Sequence, residues 1–143
     1  MEELVYRWIG PYTMDQSSDF DYDDDIGLYA ITRKWGDKES LLYIGKTIDV
    51  FSKRLRKHKR KKVVNMRGIR FRVGYLELED GKRMSKSKIK ESENLLICIL
   101  RPELNLRDLD TYDGRDLKII NKGKRGPLRK TVSSNLLKDW KII

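Results

Sequence analysis

The sequence predicts a small α/β fold in which a three-stranded, mostly antiparallel sheet is flanked by helices. Three observations carry that expectation. Two runs that are apolar on both alternating faces, "IGLYAITR" and "LLYIGKT", are separated by the turn-forming "KWGDKES". A third run, "IRFRVGYLELE", alternates as a strand does. After the second and the third come segments whose apolar residues recur at helical spacing, so the order reads strand, strand, helix, strand, helix.

A chain of 143 residues fits one domain. Charged residues make up 38% of it, against about a quarter in ordinary soluble domains, and the net charge is +10. The first 25 residues run the other way: Glu2, Glu3, Asp15, Asp19, Asp21, Asp23, Asp24 and Asp25 oppose the single base Arg7, so the remainder is more basic than the total suggests. A positive surface gathers polyanions, which puts nucleic acid first among partners. Cys98 is the only cysteine, which excludes an internal disulfide framework and a cysteine-rich zinc site. No apolar stretch approaches the roughly 20 residues of a membrane span and no leader pattern is visible, so a cytoplasmic setting is expected.

Met14 to Asp25, "MDQSSDFDYDDD", reads as a solvated acidic loop behind an N-terminal apolar piece, making residues 1–25 an extension. Ile26 to Arg33 and Leu41 to Thr47 form a hairpin with Tyr29 on one strand and Tyr43 on the other. A helix is expected from Asp49, a suitable N-cap, to Lys62, packed through Phe51 and Leu55 four residues apart. The strand from Ile69 to Glu79 changes phase after Tyr75, which predicts a bulge near Gly74. "SKSKIKESENLLICIL" gives a second helix of about 16 residues that ends before Pro102. Residues 106–143 form a C-terminal extension packed on the same domain, with a strand at Leu117 to Ile120 and a weakly amphipathic piece from Leu128 to Trp140.

On the second helix Ile89, Glu93, Leu96, Ile97 and Leu100 share one stripe, so Glu93 is on the core-facing side. A lone buried carboxylate is unfavourable by several kcal/mol, so Glu93 calls for either an arginine partner or a metal ion. Glu91, beside Ser87, Lys88 and Asn94, reads as a solvated charge. On the first helix Arg54 and His58 project together. Around them "KRLRKHKRKK" sets Lys53, Arg56, Lys57, Lys59, Arg60, Lys61 and Lys62, either a solvated basic face or a surface for DNA phosphates. His58, the only histidine, belongs to that face or takes part in proton transfer or phosphate contact.

"GLY" at Gly27 to Tyr29, "YIG" at Tyr43 to Gly45, Arg54 with His58, then Glu93 and Asn105 follow one another in an order that resembles the GIY-YIG nuclease superfamily. Pro102 and Asn105, nine and twelve residues after Glu93, match the family's last segment. Leu28 stands where isoleucine is usual, and the gap from Tyr43 to Arg54 is one residue longer. The resemblance spans Ile26 to about Asn105 and marks residues 26–105 as a nuclease core. It implies a divalent-metal-dependent DNA endonuclease that hydrolyses phosphodiester bonds, with Glu93 the single protein ligand of one Mg²⁺ or Mn²⁺ ion. In that reading Tyr43 or Tyr29 takes the proton of the attacking water, and Lys46 lowers the phenol's pKa. Arg54 neutralises charge building on the phosphate, and His58 orients or shuttles a proton. Gly45 lets the backbone approach the phosphate, and Asn105 ties the chain after the second helix to the sheet. Other readings stay open: a catalytically silent nucleic-acid-binding module of the same fold, an RNA-directed nuclease, Tyr43 as an amphipathic core residue, a homodimer, and an acidic stretch folded over the basic cleft.

Overall fold

A computed structural model describes residues 1–47, 51–59, 67–78 and 85–140, with the side chains of residues 57–59 and 138–140 outside that description. The elements are β1 (Glu2–Tyr12), a 3-10 helix (Met14–Phe20), β2 (Ile26–Trp35), β3 (Lys38–Lys46), α1 (Phe51–Lys59), β4 (Ile69–Glu77), α2 (Lys86–Leu100), β5 (Leu117–Gly123), β6 (Thr131–Ser133) and α3 (Asn135–Trp140). They build one six-stranded sheet in the order β3-β2-β4-β1-β5-β6. The sheet is mixed, because β1 runs parallel to β5 and antiparallel to β4. The expected three-stranded sheet flanked by helices is therefore incorrect.

The physical reason lies in β1. Leu4, Tyr6 and Trp8 alternate with Glu3, Val5 and Arg7, and all three are buried. Their strand occupies the middle of the sheet, where it joins β4 to the C-terminal strands. The Trp8 indole N–H donates to Asn121 Oδ1 at 2.8 Å, and the Asn121 amide donates to the Arg129 carbonyl at 2.8 Å. β1, β5 and β6 thus belong to the same sheet as the central strands.

The same tryptophan accounts for Gly74, where an added Cβ would stand 2.9 Å from the Trp8 ring. β4 holds an unbroken register against β1 from Val5↔Glu77 to Ile9↔Val73. The extra residue sits on β2, at Gly27, between the pairs Ile26↔Tyr75 and Leu28↔Gly74. The change of phase in β4 is a change of layer: Ile69, Phe71 and Val73 pack on one face, and Leu76 packs on the other.

α2 covers the face built from Leu4, Tyr6, Trp8, Leu28 and Ala30. α1 covers the opposite face through Phe51 and Leu55, against Tyr29, Ile31, Phe71 and Val73. The acidic stretch belongs to this second layer, so it is not the solvated loop its charges suggest. Met14 is buried, and the Phe20 ring lies 5.0, 6.0 and 5.6 Å from those of Tyr12, Phe51 and Phe71. The Asp21 carboxylate accepts from the Ser52 backbone N–H at 2.6 Å and from its hydroxyl at 2.7 Å, satisfying a donor in the first turn of α1. Asp23 accepts from the Tyr75 hydroxyl at 2.7 Å. Asp49, the N-cap expected from the sequence, lies outside the described residues.

α2 opens on Ser85, whose hydroxyl accepts from the Lys88 N–H, and closes with Arg101 in the left-handed region before Pro102. Glu91 is not a solvated charge, since Arg115 pairs with it at 2.6 Å and also reaches Glu2 at 3.5 Å. Beyond the helix, the Leu104 N–H donates to the Leu42 carbonyl at 2.8 Å, so this segment covers the outer edge of β3. Among the described residues no helix is long and apolar enough to cross a membrane.

Candidate active site

The register between β2 and β3 sets Tyr29 opposite Gly45 and Ile31 opposite Tyr43. Both phenols therefore stand on the face that α1 covers, with ring centroids 5.9 Å apart. Tyr29 also meets Phe51 edge-on at 5.4 Å. A Cβ on residue 45 would lie 2.5 Å from both the Cζ and the hydroxyl oxygen of Tyr29. Gly45 thus makes room for the tyrosine of the neighbouring strand, and the space it was expected to leave for a phosphate is filled by that ring. Between the two lies Ile44, whose N–H donates to Asn105 Oδ1 and whose carbonyl accepts from Asn105 Nδ2, each at 2.9 Å. A side-chain amide here takes the place of a neighbouring strand and fixes the stretch that carries Tyr43.

The electrostatics tie four elements together. Tyr29 is fully buried, and burial pushes its pKa well above the ordinary value, with Tyr43 and Glu93 adding to the shift and Arg54 opposing it. Tyr43 is half-buried. Burial and then the Glu93 charge raise its pKa, while Arg54 and Arg107 pull it down. Burial raises the pKa of Glu93, the Lys46 ammonium and backbone N–H act against the rise, Asp108 adds to it and Arg54 subtracts. Glu93 from α2 and Arg54 from α1 therefore act on both Tyr29 of β2 and Tyr43 of β3, and Lys46 of β3 and Arg54 act on Glu93. Among the described residues no cation comes within ion-pairing distance of Glu93, and the buried Nε of Arg54 has no hydrogen-bond partner.

Several expectations change in detail. Complete burial argues against Tyr29 as a proton acceptor and leaves Tyr43 as the more accessible phenol. Lys46 acts on Glu93, and the cations felt by Tyr43 are Arg54 and Arg107. Lys53 and Arg56 are exposed on α1. Lys57, His58 and Lys59 continue that helix, but their side chains lie outside the described residues, as do Arg60, Lys61 and Lys62 altogether. Sequence reading missed Arg107 and Asp108. The available signal was their position two and three residues after Asn105, the residue that bonds to the Tyr43 strand.

Among the described residues no three His, Cys, Asp or Glu side chains gather as a metal cage. One partly buried carboxylate suits an ion that keeps most of its ligands as water and phosphate oxygen, as Mg²⁺ does. Comparison of the chain with protein-family models, curated proteins and solved structures gives no match.

Proposed function

We propose that the chain is a divalent-metal-dependent DNA endonuclease of the GIY-YIG kind. The observation that supports this reading most is the meeting of Tyr43, Arg54, Lys46 and Glu93 from three separate elements around a carboxylate that burial destabilises and no described cation pairs. Groups with opposed pKa pressures in one place are a recurrent feature of sites of chemistry. Glu93 would hold one Mg²⁺ or Mn²⁺ ion, which supplies charge neutralisation for the phosphate and the leaving oxygen.

The protein's own groups do the remaining work. A water oxygen bonds to phosphorus, the bond from phosphorus to the leaving sugar oxygen breaks, and the water proton passes to the Tyr43 phenolate. Neutralising the Glu93 charge removes the strongest charge that opposes this phenolate. Arg54 balances the negative charge that gathers on the phosphate oxygens. Tyr29 and Gly45 lock the two strands together, so that Tyr43 is held in one orientation.

Supercoiled plasmid incubated with the purified protein should be nicked or cut with Mg²⁺ and left intact in EDTA. Intact plasmid under both conditions would retire the enzyme in favour of a nucleic-acid-binding module. Because Tyr43 must lose a proton and its pKa is raised above 10, the cleavage rate should climb about tenfold per pH unit from 7 towards 10. A flat profile would remove Tyr43 from the role of base.

A further inference from the structure

We propose that the tip of the β2–β3 hairpin is a second nucleic-acid contact, in which Trp35 stacks on an unpaired base and the cations around it hold the adjoining phosphates. Trp35 is 64% exposed, although large aromatic side chains are usually well buried. The Arg33 guanidinium carbon lies 5.1 Å from its ring centroid, so one arginine already attends the indole. Lys34 and Lys38 are exposed on either side of the turn. Arg67, just before β4, lies beside the tip, because Arg33 pairs with Ile69 and the Lys34 N–H donates to the Gly68 carbonyl at 2.9 Å, whereas Arg70 pairs with Thr32 and so belongs to the opposite side of the sheet. Against Arg33, Lys38 and Arg67 the tip exposes one acid, Asp37, since Glu39 is already bound to Arg72. An aromatic face among arginines and lysines is the chemistry that receives a base and its phosphate, and it asks for no particular sequence.

The position of the tip gives the contact a length. β2 keeps one register against β4 from Leu28↔Gly74 to Arg33↔Ile69, so Tyr29, Ile31, Arg33 and Trp35 point to the same side. That side is the one carrying Tyr43 and α1. Trp35 stands six residues beyond Tyr29, about 20 Å along the strand at ~3.3 Å per residue. A single strand running along this face would need about six nucleotides to touch both places if it kept the ~3.4 Å rise of a stacked strand, and fewer if extended. The inference uses only the nucleic-acid part of the proposed function and stands whether or not a bond is cut.

The test titrates the full-length protein in EDTA with oligothymidylate of about 12 nucleotides, following tryptophan emission. With the third tryptophan replaced throughout (Trp140→Phe), the parent should be quenched on binding, because Trp35 stacks on a base while Trp8 is buried and bonded to Asn121. Trp35→Ala should abolish the quenching and weaken binding about tenfold, and Trp35→Phe should restore most of the affinity. Equal affinity in the parent and Trp35→Ala, with emission unchanged in both, would overturn the proposal. A parent that binds no oligonucleotide would overturn it too and turn attention to a protein partner for the same patch. Plasmid cleavage is scored separately: Trp35-dependent quenching in a protein that cuts nothing keeps the contact and removes the nuclease, and the reverse pattern does the opposite.

Discussion

Glu39 and Glu93 are both drawn out of water against the same sheet, yet the neighbours of Glu39 outweigh its burial and those of Glu93 do not. The Glu39 carboxylate accepts from Arg72 Nε at 3.2 Å, from Arg72 Nη2 at 2.8 and 2.7 Å and from the Thr32 hydroxyl at 2.7 Å. Arg72 spends its remaining terminal nitrogen on the Lys124 carbonyl at 2.7 Å. Burial pushes the Glu39 pKa up, but the Arg72 and Thr32 bonds outweigh it and hold the carboxyl below its ordinary value. At Glu93 the balance goes the other way, and burial wins over Lys46 and Arg54. A carboxylate whose charge its neighbours favour is what a fold builds for its own sake; one whose charge burial disfavours is kept where something else completes it.

The largest effect should come from breaking the satisfied member. Arg72→Ala leaves Glu39 desolvated without its partner and should reduce stability by about 3–5 kcal/mol in urea denaturation. Replacing Arg72 and Glu39 together with methionine should recover most of that loss. A cost of less than about 1 kcal/mol for Arg72→Ala would show that this network is no more structural than the Glu93 cluster.

Next in size is Asn105→Ala, which leaves the Ile44 N–H and carbonyl without their partners and should cost about 1–3 kcal/mol. Hydrogen exchange at the Ile44 amide should accelerate with it, and cleavage should fall because Tyr43 is carried on the same stretch. Protection unchanged at Ile44 would mean that the edge of β3 holds its shape alone. The smallest of the three concerns Asp21. Asp21→Ala removes the acceptor at the start of α1 and should cost about 0.5–2 kcal/mol in thermal unfolding, whereas Asp24→Asn and Asp25→Asn, both exposed, should cost close to nothing. Equal effects at all three positions would return the acidic stretch to a solvated loop.

Much of the centre was legible because its signals are local. The β2–β3 hairpin shows in its turn residues, α1 in the four-residue step from Phe51 to Leu55, and the end of α2 in Pro102. What escaped depends on partners far away in the chain. Leu4, Tyr6 and Trp8 already alternate as a strand, but nothing near them says that Leu117 to Gly123 will run parallel beside them. The charges of Met14 to Asp25 concealed Met14 and Phe20, two anchors in the α1 layer. The site was readable as a set of residue types and not as an arrangement. That Gly45 yields to Tyr29, or that Arg107 reaches Tyr43, depends on a register and a loop path that no spacing records.

The most direct test of the central claim is Glu93→Gln, measured for stability, DNA binding and cleavage on the same preparation. Folding raises the Glu93 pKa, so its ionised form is the disfavoured one in the native state. The resulting loss of stability is fully present above the folded pKa and disappears as pH falls below the unfolded value. Neutral glutamine escapes it, so the variant should melt at a higher temperature than the parent at pH 8, with the gap closing towards pH 4. It should bind DNA at least as tightly as the parent, and cut none. A variant that is less stable at pH 8, or that still cleaves plasmid with Mg²⁺, would show that Glu93 is a structural carboxylate like Glu39 and would contradict the account.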